Sequence, residues 1–156
     1  MSKSLKRVVR ALVDAGHDIT PLEMPGETRT AQQAADAAGC ALDQIAKSII
    51  FLGEQSGQAI LFVTAGGNQV DAAKASAVAG EPLGKADATL IRAQTGFAIG
   101  GVSPIGHLNP IRAFWDPRLS DFDVVYAAAG TPRHIFPIAP DALKTMSAAN
   151  TADFTT

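Results

Sequence analysis

The spacing of apolar and polar residues predicts an amphipathic helix at the start of the chain. Apolar residues recur there every three or four positions, at Leu5, Val8, Val9 and Leu12. This spacing places them on one face of a helix. Ser4 is a suitable N-cap and Gly16 a suitable stop signal, so we predict a helix that runs to Ala15.

Four further helices are predicted from capping residues and stop signals. Three of them follow a side chain that can accept hydrogen bonds from the first turn, and each ends at or near a glycine. They cover residues 31–38, 72–79 and 88–94, and their caps are Thr30, Asp71 and Asp87. The last helix has Pro140 in its first turn, where a missing N–H group costs nothing, and carries Leu143 and Met146.

Two nearly continuous apolar runs predict a β-hairpin. They cover residues 47–52 and 59–64 and flank the turn dipeptide Ser56-Gly57. Because polar positions hardly interrupt them, we expect both strands to be buried on both faces. Shorter strands are predicted at residues 111–115, 124–128 and 135–138, whereas residues 18–29 are interrupted by prolines and indicate an extended loop. Helices and strands in this order predict an α/β or α+β fold with a mixed, twisted sheet.

Composition narrows the class of protein. The 156 residues, 47% of them hydrophobic and 18% charged, fit one globular domain over residues 1–156, with a frayed tail at residues 147–156. No apolar run approaches the roughly 20 residues of a membrane helix. A lone cysteine, Cys40, forms no internal disulfide, which favours a reducing cytoplasm.

The charge balance limits the kind of nucleic acid that the chain can bind. A net charge of −2 and a pI of about 5.8 argue against a protein that binds long nucleic acids through charge alone. They leave room for a small basic pocket that accepts one phosphate or one RNA end.

A glycine-rich segment is the first candidate site. It consists of Gly100, Gly101, Val102, Ser103, Pro104, Ile105 and Gly106. Backbone N–H groups at Gly100 and Gly101 could hold an ester carbonyl or the oxyanion formed from it. Alternatively, the segment is only a tight turn between two elements. It lacks the pattern of a phosphate-binding loop, and it precedes a strand rather than a helix.

Single side chains supply further candidates, each with a structural alternative. Lys47 opens an apolar strand, so its ammonium either extends to water or meets an anion or carbonyl oxygen. His134 follows a turn and either orients a polar substrate group or is an exposed loop residue. Ser103 lacks a recognisable Ser-His-Asp grouping. Three scattered histidines and Cys40 form no credible metal site, and Cys40 is interpreted as a packing residue.

Taken in order, several segments resemble the YbaK/ProX/EbsC family of aminoacyl-tRNA editing domains. The resemblance extends from about Leu5 to Met146. Each segment is a weak signal by itself, and their order along the chain makes the resemblance specific. The segments begin at Thr30, Ile45, Gly67, Thr95, Ala129 and Pro140.

The resemblance implies a fold, an activity and a set of site residues. The fold would be a compact α/β domain with a barrel-like sheet flanked by helices. The activity would be hydrolysis of the ester between a wrong, small amino acid and tRNA, most often tRNA-Pro. The family's key lysine falls on Lys47 and its glycine-proline loop on residues 100–106, with Ser48 and His134 as further substrate-binding residues.

The resemblance also implies partners. The substrate would be the 3′ end of a mischarged tRNA, with prolyl-tRNA synthetase as a partner, and neither a cofactor nor a metal nor a membrane would be needed. Selection of the tRNA could depend on a basic face formed by Lys3, Lys6, Arg7 and Arg10. Two alternatives stay open, a non-catalytic module that binds a nucleotide or a tRNA terminus, and a scaffold protein that binds a synthetase.

Overall fold

The computed structural model of the protein describes residues 2–156, which form five α-helices and eight β-strands. The helices are α1 (Lys3–Asp14), α2 (Ala31–Ala38), α3 (Ala72–Ala79), α4 (Ala88–Thr95) and α5 (Pro140–Ser147). The strands are β1 (Leu22–Glu23), β2 (Ala46–Gly53), β3 (Ala59–Ala65), β4 (Leu83–Lys85), β5 (Arg112–Trp115), β6 (Val125–Ala128), β7 (His134–Ile138) and β8 (Asn150–Thr151). None of the helices in this range combines the length and apolarity needed to cross a membrane.

Local capping accounts for most helix boundaries. Thr30 accepts a hydrogen bond from the N–H of Gln33, and the Gln33 side chain accepts one in return from the N–H of Thr30. Asp71 and Asp87 cap α3 and α4 through their carboxylates, which accept hydrogen bonds from the N–H groups of Lys74 and Leu90. The predicted bounds of α2 and α3 are confirmed, and α4 extends one residue further, to Thr95.

The first helix begins earlier than predicted. Ser2, not Ser4, is the cap, because its hydroxyl accepts a hydrogen bond of 3.0 Å from the N–H of Leu5. Ser4 is already inside the helix. Since both serines precede the same apolar face, local pattern alone does not distinguish them.

The strands form two sheets. One has five strands in the order β4-β2-β3-β5-β8, and the other has three in the order β1-β7-β6. The predicted hairpin is confirmed as the antiparallel pair β2–β3, with Lys47 opposite Thr64. An isolated bridge between Ile45 and Tyr126 links the sheets, but they do not close. The mixed α/β class is therefore confirmed, while the barrel-like sheet is corrected to two open sheets.

The two strands of the hairpin differ in burial. Every residue of β3 is buried between α1 on one face and α3 on the other, whereas the middle of β2 is only partly buried. The expectation that both strands are fully buried is thus wrong for β2. Strand β4 pairs with β2 only at residues 51–53, so the edge of β2 over residues 46–50 has no strand pairing along its length. A cavity lies along this edge.

The C-terminal segment is ordered by pairing and packing, which corrects the predicted frayed tail. Strand β8 pairs with β5 in parallel, and Thr155 forms a bridge with Val70. Phe154 is 1% exposed and contacts the ring of Phe62, with centroids 4.9 Å apart. Residues 148–156 therefore complete the five-stranded sheet and cover its core.

Candidate functional site

A cavity of about 430 Å³ lies at the open edge of β2. Its walls come from residues 28–31 and Ala34, from β2, from Ile91, from the loop at residues 99–102, and from β6 and β7. Most of the lining is apolar. The charged residues in it are Arg29 and Lys47, so the charge of the lining is positive although the whole chain is slightly acidic.

Lys47 lines the cavity, and two backbone carbonyls outside the lining fix the position of its ammonium. Its Nζ donates to the oxygen of Gly66 at 3.3 Å and to the oxygen of Asn68 at 2.5 Å. Both acceptors belong to the turn that follows β3, which is the strand paired with β2. The hairpin register therefore brings Lys47 and this turn together.

A buried carboxylate holds that turn in place. Asp116 is 2% exposed, and its Oδ2 accepts hydrogen bonds from the N–H of Ala65 and from Nδ2 of Asn68, at 3.0 and 2.9 Å. Burial lowers the pKa of Lys47 below its ordinary value, while the negative charges of Asp116 and Asp43 oppose that shift. Asp116 thus acts on Lys47 both through Asn68 and through its charge.

The glycine-rich loop is divided between the cavity and the protein interior. Gly100 and Val102 line the cavity, and neither N–H group donates to another described residue. The N–H of Gly101 instead donates to the oxygen of Ala98 at 3.2 Å. A Cβ atom on Gly101 would lie 2.7–2.9 Å from backbone atoms of Thr131, so only glycine lets the loop approach that turn so closely. Gly101 is therefore a packing position outside the cavity lining.

The second half of the loop does not line the cavity either. Ser103, Pro104 and Ile105 are buried, and Gly106 lies against α1. The Ser103 backbone oxygen is bonded to the ring of His107 at 2.7 Å, and its hydroxyl accepts from the N–H of Ile105. The sequence predicted that these four residues bind substrate, but the structure places them in the support of the loop.

Arg7 fastens this support to α1. Its guanidinium donates to the oxygens of Gly96 and Gly106, at 2.7 and 3.2 Å, and lies over the ring of Phe97. The sequence predicts that Arg7 belongs to a basic face for tRNA. In the structure it is instead a clamp across the two ends of the loop, while Lys3, Lys6 and Arg10 are exposed.

His134 lies in a different cleft. That cleft contains His17, Ile19 and Glu23, and the Nδ1 atom of His134 is 2.6 Å from the hydroxyl of Thr131. Because His134 does not line the cavity beside Lys47, the geometry of that cavity does not support its predicted contact with substrate.

Ser48, by contrast, lies in the cavity wall next to Lys47. Its Oγ is buried and has no hydrogen-bond partner among residues 2–156. A buried hydroxyl without a partner is uncommon and costs free energy. Ser48 therefore remains a candidate for contact with a ligand.

The structure adds residues that the sequence interpretation missed. Arg29, Ile99 and Tyr126 line the cavity. Arg29 lies in the segment interpreted as a connecting loop, and its position directly before the Thr30 cap was the one local signal. Ile99 and Tyr126 reach the cavity only through the packing of β6 and the loop beside β2.

Metal and thiol chemistry receive no support at this site. Within residues 2–156, no three histidine, cysteine or acidic side chains lie where they could hold a metal ion. Cys40 is partly buried, and burial raises the pKa of its thiol. A raised pKa reduces the thiolate fraction and hence the nucleophilicity of the sulfur.

Comparison with known proteins places the chain among editing domains. The aminoacyl-tRNA editing domain family matches residues 25–146. A crystal structure of a proposed trans-editing enzyme for prolyl tRNA synthetase is 42% identical, with a TM-score of 0.92 over 100% of this chain and 99% of that one. The crystal structure of the hypothetical protein APE2540 is 26% identical, with a TM-score of 0.87 over 96% of this chain and 99% of that one. The uncharacterized protein YwhH of Bacillus subtilis (strain 168) is 33% identical over 131 residues, which are 84% of this chain and 82% of that protein.

Proposed function

Because this chain belongs to the aminoacyl-tRNA editing domain family, we propose that it is a trans-editing deacylase. It hydrolyses the ester between a small, wrongly attached amino acid and tRNA, and it acts on tRNA-Pro in the cytoplasm. The likeness to a proposed trans-editing enzyme for prolyl tRNA synthetase supports this choice of tRNA.

One observation carries the proposal. The lining of one mostly apolar cavity includes Lys47 together with Gly100 and Val102, whose N–H groups donate to no other described residue. An apolar wall keeps bulk water away from the reacting atoms and strengthens the electrostatic contacts made beside it. Such a cavity suits a reaction in which negative charge develops on a carbonyl oxygen.

The chemistry needs no strong nucleophile from the protein, because an aminoacyl ester is already activated. A water oxygen attacks the ester carbonyl carbon, and the carbonyl oxygen becomes an oxyanion. Lys47 and the Gly100 amide stabilise that charge. The bond between the carbonyl carbon and the ribose oxygen then breaks, and the ribose oxygen takes up a proton. The base that receives the proton of water comes from the substrate, through a ribose hydroxyl or an amino-acid side chain.

A small substrate explains why a separate editing step is useful. A synthetase pocket built for one amino acid rejects a smaller one by only about 1–3 kcal/mol for each methylene that is lost. A second site that admits only small side chains removes the products of such errors.

A panel of mischarged tRNAs tests the proposal. Loss of the aminoacyl group is followed on Ala-, Cys-, Ser-, Thr- and aminobutyryl-tRNA-Pro, and on a second tRNA that carries the same amino acids. We expect multiple-turnover hydrolysis of at least one small aminoacyl-tRNA-Pro. Binding without hydrolysis across the panel would favour a non-catalytic module for the tRNA terminus.

A substitution of Lys47 tests its assigned role in the same assay. Lys47→Ala is expected to lower kcat by about 10²–10³-fold, the usual cost of removing one oxyanion donor, without change in the circular dichroism spectrum. Lys85→Ala, which removes an exposed lysine at the end of β4, is the control and keeps full activity. An active Lys47→Ala enzyme would contradict the assigned role.

A further inference from the structure

Arg29 offers a ligand more unused N–H groups than Lys47, whose ammonium keeps one of its three. Lys47 already donates to two backbone carbonyls. The Arg29 guanidinium uses only its Nε, which donates to Oε2 of Glu27 at 2.7 Å. Its two terminal nitrogens have no hydrogen-bond partner among residues 2–156, and its side chain is 50% exposed.

The position of Arg29 is set from two sides. Glu27 fixes Nε and thereby the plane of the guanidinium, although a pair this exposed contributes little to stability. On the other side the guanidinium lies on the loop, because a Cβ atom on Gly100 would be only 2.6 Å from Nη1 of Arg29. Gly100, with φ of +96°, thus provides both the backbone turn and the space for this side chain.

The carboxylates near these two cations, Glu27 beside Arg29 and Asp116 and Asp43 near Lys47, lie outside the cavity lining. The lining contains Arg29 and Lys47 and no acidic residue. Planar guanidinium groups with two outward N–H edges match the oxygens of a phosphate, to which they donate in pairs. The chemistry of the rim is therefore that of a phosphate-binding site.

We propose that Arg29 binds the phosphodiester on the 5′ side of the 3′-terminal nucleotide and thereby positions the ester at Lys47 and Gly100. This inference rests on the proposed deacylase function for its substrate, but the phosphate site itself does not depend on catalysis. Lys47 acts on the ester and Arg29 on the phosphate. The two cations therefore have separable roles.

Kinetics with two substrates separate a phosphate contact from a structural role. Arg29→Gln is expected to raise KM for the mischarged tRNA about tenfold or more, with little change in kcat, as expected for loss of a hydrogen bond to a charged group. With the same amino acid on adenosine that has no 5′ phosphate, wild type and Arg29→Gln are expected to be equal. Arg92→Gln, an exposed arginine on α4 outside the lining, is the control. Equal losses on both substrates would overturn the assignment.

Binding of a nucleotide tests the site without catalysis. Adenosine 5′-monophosphate and adenosine are titrated separately into the protein and followed by amide chemical shifts. We expect wild type and Lys47→Ala to bind the nucleotide about tenfold or more tightly than the nucleoside, and Arg29→Gln to lose this preference. If hydrolysis fails on every tRNA but this pattern holds, the phosphate site stands and the deacylase proposal falls. If Arg29→Gln keeps the preference, the phosphate site is wrong.

Discussion

The role of Lys47 depends on residues that do not line the cavity with it. Its ammonium is bonded to the turn at residues 66–68, and Asp116 holds that turn through Asn68. Because Asp116 is buried and charged, it must accept several hydrogen bonds to be stable there. Those bonds make one rigid unit from the end of β3, the turn and the lysine.

This arrangement predicts a change in pH dependence for Asp116→Asn. Deacylation needs the charged ammonium, so activity falls as pH rises through the pKa of Lys47, which burial has already lowered. Asp116 opposes that lowering, so replacing it with neutral asparagine lowers the pKa of Lys47 further. The alkaline limb of kcat/KM should therefore move to lower pH, measured after subtraction of spontaneous ester hydrolysis.

Asp121→Asn is the matched control for that experiment. Asp121 is exposed and pairs with Arg118, and it does not act on the pKa of Lys47. We expect its pH profile to coincide with that of wild type. A uniform loss of activity in Asp116→Asn at every pH, with an unmoved limb, would mean that Asp116 acts only on the structure.

At the scale of elements, the glycine-rich loop forms one wall of the cavity and is supported on the side that faces away from it. Arg7 of α1 fastens its two ends, and Gly101 packs on the turn between β6 and β7. Only the Ile99–Val102 side reaches the cavity. The loop therefore places one or two backbone amides with little freedom to move, which is what an oxyanion site requires.

Gly101→Ala tests this wall. The new methyl group would overlap the Thr131 backbone, so we expect a loss of about 1–3 kcal/mol of stability, the usual cost of overpacking, together with a fall in kcat. Urea denaturation and deacylation measure the two effects. Gly26→Ala is the control, because a Cβ there meets nothing within 4 Å, and it should leave both unchanged. A Gly101→Ala enzyme with normal kcat would show that the loop tolerates displacement.

At the scale of the whole molecule, the C-terminal segment closes the outer side of the hairpin. Strand β8 extends the five-stranded sheet, and Phe154 fills the space between β3 and α3 beside Phe62. The N–H of Asp71 donates to the oxygen of Phe154 at 2.8 Å, so the start of α3 is tied to the tail. The tail therefore stabilises the strand on which the Lys47 hairpin is built.

Phe154→Ala should consequently destabilise the protein. If the tail were frayed, the same substitution would leave the stability unchanged. We expect a loss of about 3–5 kcal/mol, as for other buried phenylalanines truncated to alanine, measured by urea unfolding. Asp153→Ala serves as the control, since its exposed pair with Lys74 should contribute less than about 1 kcal/mol. Equal stabilities of the two variants would contradict the packing role of Phe154.

Local sequence determined most of the elements of this fold. The α2 and α3 bounds follow from Thr30 and Asp71, because caps, helix turns and stop signals act within four residues. The hairpin follows from apolar runs on either side of a turn. An isolated charge and clustered glycines made Lys47 and the loop at Gly100 candidates, and the family resemblance, not the local pattern, favoured them as site residues.

Only the tertiary structure decided which side chains share the cavity. Arg29 and Tyr126 join Lys47 there, while His134 and the buried Ser103 do not line it. Such contacts join residues up to about a hundred positions apart, and they depend on how two sheets lie against each other rather than on any local pattern. Local sequence also did not predict the order of the tail, since residues 150–151 form a strand only because β5 has an edge with which they pair.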